Sequence, residues 1–197
     1  LWGWDTPGKA VKVNVSWSKE SYSAKTDSKG IWIVGVKTPK ASYTPLSITF
    51  NDGDKTTINN VLSGEVWVCA GQSNMEMPMK GFKAQPVDGA LQELMTGADN
   101  NLRLFTVSRN ARLQAVDTLQ GKWNAADAES IRQFSATAYY FGSTLRKSLR
   151  VPVGLIVTSW GGSACEAWMS SDWLKAFPDV KLPTNKTDVD KRAQRCP

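Results

Sequence analysis

The 197-residue sequence contains no histidine. A serine nucleophile ordinarily passes its proton to an imidazole, and histidine is the commonest zinc ligand, so the chain alone carries neither the usual base nor the usual metal site. Cysteine is scarce, with only Cys69, Cys165 and Cys196. No two stand at metal-binding spacing, and the odd count leaves at least one thiol free or joined to another chain in an oxidising compartment. Cys69 and Cys165 sit in apolar stretches and read as small buried hydrophobes, whereas Cys196, in a polar tail beside Pro197, is the candidate for an interchain bridge. No apolar run approaches the roughly 20 residues that a membrane helix requires, and the opening Leu1-Trp2-Gly3-Trp4-Asp5 lacks the charged-then-apolar pattern of a signal peptide. The chain is therefore expected to be soluble, with any targeting segment already removed. Nucleotide-cradling glycine loops, internal repeats and low-complexity tracts are also missing.

What is present is a globular composition, 41% hydrophobic, long enough for one large domain or a small domain plus most of a second. The formal charge of +6 is spread along the chain rather than gathered in runs, which reads as solvated surface and not as a nucleic-acid site. Two sequons, Asn14-Val15-Ser16 and Asn185-Lys186-Thr187, permit N-glycosylation at Asn14 and Asn185 in a secretory compartment. They point towards a secreted or lysosomal protein.

One stretch organises the rest: Glu65-Val66-Trp67-Val68-Cys69-Ala70-Gly71-Gln72-Ser73-Asn74-Met75-Glu76-Met77. Val66 to Ala70 is a continuous apolar run that stops at a glycine, the pattern of a strand covered on both faces in a parallel sheet. Groups just beyond the carboxyl end of such a strand face the ligand crevice, which makes Ser73 the candidate nucleophile. The same Gly-x-Ser-Asn is also an ordinary turn, in which Ser and Asn bond their own backbone. It is not the Gly-x-Ser-x-Gly elbow of α/β-hydrolases, since Met75 replaces the second glycine. A second apolar strand, Val153 to Ser159, likewise ends in a glycine turn, Trp160-Gly161-Gly162-Ser163. Right-handed crossovers return the chain in the same direction, so both turns are expected on one sheet edge, where glycine N–H groups face an oxyanion formed at Ser73 or simply make a tight turn.

Residues 1–62 show short β-prone pieces between turns, at Val11–Trp17, Ile31–Val36, Leu46–Phe50 and Lys55–Asn59, and are expected to form a small antiparallel sandwich-like domain. Residues 63–176 alternate strands and helices, the first part of an α/β domain. Helical spacing covers Val87–Gly97 and Phe134–Leu149, the latter with Phe134, Ala138, Phe141, Leu145 and Leu149 on one face, and a strand spans Leu102–Val107. Gly121-Lys122-Trp123 reads as irregular. A short helix is expected through Trp173 and Leu174, and residues 177–197 as a polar loop or tail.

The chain resembles the sialate O-acetylesterases, a family of SGNH-type serine esterases. The resemblance rests on Trp2-Gly3-Trp4 with Pro7-Gly8, on Gly64 to Met75, on Phe134-Ser135-Ala136 through Phe141-Gly142, and on Val151 to Ile156 leading to Ser159-Trp160-Gly161-Gly162-Ser163 and Glu166-Ala167-Trp168. It implies a flavodoxin-like SGNH-hydrolase parallel sheet, incomplete in this chain, preceded in sequence by the small antiparallel β-sandwich. It further implies that Ser73 is the nucleophile, that its own N–H and a glycine of the pair Gly161-Gly162 form the oxyanion hole, and that no metal or organic cofactor is needed. The implied substrate is an O-acetylated sugar, typically a sialic acid, with acetylated xylan or another polysaccharide as an alternative. The family's later Asn block and Asp-x-x-His are missing here. The resemblance thus implies an N-terminal portion or small subunit, nearly inactive until a second polypeptide, with Cys196 as the candidate disulfide link, supplies the histidine and aspartate. A chain that keeps the fold as a non-catalytic carbohydrate-binding or interaction protein is the alternative from another class.

Overall fold

The computed structural model describes residues 1–189. Their contacts divide into two compact units, Leu1–Glu65 and a second beginning at Val66.

The first unit is built of strands alone: β1 (Trp2–Trp4), β2 (Ala10–Val15), β3 (Ser21–Lys25), β4 (Ile31–Ile33), β5 (Ser42–Asn51) and β6 (Lys55–Ser63). Four of them form an antiparallel sheet in the order β3-β2-β5-β6, and β1 pairs with β4 in a separate ribbon. Alternation in β2 sends Val11, Val13 and Val15 to one face, where Trp32 of the ribbon and Ile48 close the core. The β5–β6 turn is fixed by Asn51 and Asp52, whose carbonyl and carboxylate oxygens accept from the Gly53 and Asp54 amides at 3.1 Å. β1 and β3 carry weak sequence signals: three residues are too few to show a period, and in Ser21-Tyr22-Ser23-Ala24-Lys25 only Tyr22 and the small Ala24 mark the face that packs on the core.

The second unit runs β7 (Glu65–Gly71), α1 (Ser73–Glu76), α2 (Ala90–Thr96), β8 (Asp99–Thr106), β9 (Trp123–Ala126), α3 (Ala128–Gln133), α4 (Ala136–Leu149), β10 (Val153–Ser159), a 3-10 turn at Cys165–Trp168, and α5 (Ser171–Leu174). Its sheet has the order β7-β10-β8-β9. β10 runs parallel to β8, with Leu155 opposite Leu104, while β9 is antiparallel to β8. The sheet is therefore mixed, and Trp123, expected in an irregular stretch, begins a strand. The reason is tertiary: the Trp123 ring lies 5.2 Å from that of Phe105, its partner in the β8 ladder.

One face of this sheet carries the core. Leu102, Leu104, Val153, Leu155 and Val157 meet Ala138 and Tyr139 of α4. The helix expected from Phe134 is found as α4, starting two residues later, and a separate short helix, α3, precedes it. Phe134 ends α3 in an extended conformation, and Ser135 caps α4 by accepting from the Ala138 amide at 3.2 Å. The buried face also differs from the expected stripe: it holds Ala136, Ala138, Tyr139, Gly142 and Ser143, while Phe141 and Leu149 are 41% and 49% exposed. Small residues win because Gly142 lies directly against the Leu155 side chain, and bulk there would push the helix off the sheet.

The other face is more open. β7 was expected to be covered on both sides, yet only Cys69 is buried, and Val66 and Val68 are 64% and 66% exposed. Strand alternation places these valines on one face with Ile156, Phe105 and Trp123, and no helix packs there among the described residues. β7 is also an edge strand, opposite β9.

Two outcomes follow from this packing. Leu155→Ala, at a fully buried position, should lower unfolding free energy in urea by about 2–5 kcal/mol, whereas Val68→Ala should change it by less than about 0.5 kcal/mol. Tyr139 donates to Glu93 Oε2 at 2.8 Å and to the Gly97 carbonyl at 3.2 Å, and burial together with the Glu93 carboxylate raises its phenol above the ordinary value of 10.0. The unfolded chain then ionises first, so this contribution is intact below pH 10 and is lost as pH rises above it. Alkaline denaturation followed by circular dichroism should show a shallower loss of stability in Tyr139→Phe.

Candidate active site

The two glycine-ended strands, β7 and β10, are neighbours in the sheet, and their turns meet. The Trp160 amide donates to the Gly71 carbonyl at 3.2 Å, and Gln72 Nε2 donates to the Ser163 carbonyl at 2.8 Å. Both turns thus stand at one edge, as the sequence pattern implies. Behind them, Ser163 Oγ donates to the Trp160 carbonyl at 2.7 Å and accepts from Trp168 Nε1 at 2.8 Å, which fixes the second turn.

Ser73 opens α1, a single helical turn held by bonds from the Glu76 amide to the Gln72 carbonyl at 2.9 Å and from the Met77 amide to the Ser73 carbonyl at 3.0 Å. The turn is tied to the helical layer, since the Ala136 amide donates to Met77 and Thr137 Oγ1 to the Asn74 carbonyl at 3.1 Å. Gly71 is required here because a Cβ on it would lie 2.9 Å from Met75 Cβ. Ser73 is exposed, at the surface rather than in the core. A Cβ placed on Gly161 would stand 3.6 Å from Ser73 Oγ, so the second turn approaches the hydroxyl with bare backbone. Gly162 takes a left-handed conformation with φ 74°.

Two residues that sequence reasoning missed complete the edge. Glu76, one helical turn after Ser73, accepts the Gly161 N–H on Oε2 and pairs through Oε1 with Arg109. The Arg109 guanidinium lies 5.5 Å from the centroid of the Trp160 ring. Glu76 carries a signal in hindsight, a carboxylate three residues beyond the serine on the same helical face. Arg109 carries none, because only the fold brings the loop after β8 to this place. A cleft of about 540 Å³ opens beside the pair, its walls including Glu76, Lys80, Phe82, Arg109 and Ser159. Ser73 itself lies outside that wall.

The remaining candidate residues fall elsewhere. Asn14 is exposed on β2, between β3 and β5. Asn185 is exposed too, but its Nδ2 donates to Asp188 Oδ2 at 2.9 Å. Cys196 lies outside the described residues. Cys165 is exposed on the 3-10 turn, a correction to its reading as a buried hydrophobe: the turn leaves the sheet edge and gives it no apolar cover. Cys69 is buried, and that burial raises its thiol pKa. Among the described residues no cluster of three or more His, Cys, Asp or Glu could hold a metal ion, and no helix is long and apolar enough to cross a membrane.

An exposed serine at a strand end, faced by a glycine turn on the same edge of an α/β sheet, is compatible with nucleophilic attack on an ester. Comparison with known proteins is specific. A family model described as carbohydrate esterase, sialic acid-specific acetylesterase, matches residues 63–181. The chain is 32% identical over 89% of its length to sialate O-acetylesterase of Pongo abelii, covering 36% of that protein, and equally to that of Homo sapiens. A solved structure described as a novel carbohydrate acetylesterase from Xanthomonas citri superposes with a TM-score of 0.80 at 32% identity, covering 100% of this chain and 44% of that one. The chain belongs to the carbohydrate esterase family of sialic acid-specific acetylesterases. It spans about a third of the length of the sialate O-acetylesterases it matches.

The exposures set a reactivity order. Brief treatment with iodoacetamide at pH 8 should alkylate Cys165 and leave Cys69 unmodified until denaturant is added, read by peptide mass spectrometry.

Proposed function

We propose that this chain carries the nucleophile of a carbohydrate O-acetylesterase, with O-acetylated sialic acid as its substrate. The observation that supports it most is the approach of the Gly161 backbone to the exposed Ser73 hydroxyl at one sheet edge. In this reading Ser73 Oγ attacks the acetyl carbonyl carbon while its proton passes to an imidazole. The carbonyl oxygen becomes an oxyanion held by the Ser73 N–H and an amide of the Gly161-Gly162 turn. Because Glu76 already takes the Gly161 N–H, Gly162 is the favoured donor. Collapse breaks the bond to the sugar oxygen, which leaves as a hydroxyl with the proton from the imidazole. Water then hydrolyses the acetyl-serine to acetate.

The imidazole and its orienting carboxylate come from a second polypeptide segment. Two observations support this: the sequence has no histidine, and the sheet leaves Val66, Val68 and Trp123 exposed where an α/β domain carries a second helical layer. A disulfide through Cys196 and a secreted or lysosomal location with glycans at Asn14 and Asn185 belong to the same proposal. The zero histidine count equally suits a non-catalytic carbohydrate-binding protein, and acetylated xylan or another polysaccharide remains an alternative substrate.

Hydrolysis of 4-nitrophenyl acetate and of 9-O-acetyl-N-acetylneuraminic acid, assayed on the complex containing this chain, decides between them. Ser73→Ala should lower turnover by roughly 10³-fold or more, and the isolated chain should hydrolyse both esters at close to the background rate. Undiminished turnover in Ser73→Ala removes the nucleophile assignment.

A further inference from the structure

The cleft beside the nucleophile turn has a composition that the esterase chemistry does not use. Its ionisable lining is Glu76, Lys80 and Arg109, two cations against one carboxylate, which leaves one unit of positive charge at neutral pH. Glu76 engages one side of the Arg109 guanidinium, and a guanidinium carries five N–H donors in a planar fork. Lys80 Nζ donates to Gln133 Oε1 at 2.6 Å, and an ammonium has three donors to give. The other walls include Met75, Pro78 and Phe82, apolar surfaces suited to the C–H faces of a pyranose ring. At about 540 Å³ the space falls within the range of small-molecule sites.

We infer that this cleft receives the carboxylate of an acidic sugar through Lys80 and Arg109, and that these two residues set the preference of the site for anionic over neutral acetylated sugars. The inference rests on the esterase reading only in taking a sugar as the ligand. A carboxylate supplies the missing negative charge and offers two planar oxygens to the guanidinium fork and the ammonium. A neutral sugar of the same shape leaves the surplus charge to water. The Glu76 pair serves a second purpose in this arrangement: it holds Arg109 over Trp160, so the guanidinium is oriented before the ligand arrives. Arg109 is 47% exposed in its side chain, which keeps the discrimination modest and sensitive to salt.

The test is binding to the full 197-residue chain, followed by NMR titration, with N-acetylneuraminic acid, its neutral methyl ester and glucuronic acid. The acid should bind about ten-fold more tightly than the ester, and the ratio should fall towards unity in Lys80→Gln, in Arg109→Gln and at high sodium chloride. Lys147→Gln, outside the cleft, should keep the ratio. Glucuronic acid binding as well as N-acetylneuraminic acid would support a subsite for acidic sugars in general, and weaker binding would support one fitted to the larger acid. Equal affinity for acid and ester, no binding of either, or a preference that survives both substitutions in chains with native circular dichroism overturns the inference. Ser73→Ala should leave the ratio unchanged, so this measurement stands or falls apart from turnover.

Discussion

The Glu76 carboxylate is the contact on which the arrangement of this edge depends. It joins backbone and side chain 85 residues apart, taking the Gly161 N–H while Arg109 balances its charge. A carboxylate withdrawn from water without such partners is costly, and here a charged fork and an amide together offset that loss. The geometry also explains why residue 161 is glycine, since any side chain would strike the carboxylate. Ser73 and Glu76 bracket one helical turn, so whatever holds the carboxylate in place also holds the hydroxyl.

That junction is possible because β7 and β10 are neighbours whose turns meet at one edge. The sheet beneath is packed on one side only, with α4 brought close by Ala138 and Gly142 and with Leu155 fully buried against it. The opposite side shows exposed valines on one edge strand, β7, and Trp123 on the other, β9, a surface that folded proteins normally cover. The proposed nucleophile stands one helical turn from Glu76, and Glu76 also lines the proposed acidic-sugar subsite. In that scheme one carboxylate organises both the reacting end and the recognising end of the site.

Much of the strand framework was legible because period and turn chemistry are local. β10 has the bounds expected of it, the alternation of β2 marks its buried face, and Gly97 closes α2. The misses share a cause. β3 has only Tyr22 and Ala24 to mark its inner face and is fixed by pairing with β2, β9 is fixed by pairing with β8, and the six-residue α3 by the burial of Ile131. The buried face of α4 was misread because apolar size suggested Phe141 and Leu149, whereas close packing on β10 selected glycine and alanine.

The sequence by itself determined the Gly-Gln-Ser-Asn-Met turn, the glycine pair at 161 and 162, and the absence of any imidazole, all properties of residue identity and short spacing. Only the tertiary structure decided that Arg109 meets Glu76, that Lys80 and Arg109 share a cleft, that Cys165 is open to solvent, and that Val66 and Val68 are exposed on one face of the sheet. The reason is physical. Charge pairing and burial are set by distances between segments that are remote in the chain, and a one-dimensional pattern carries no such distances.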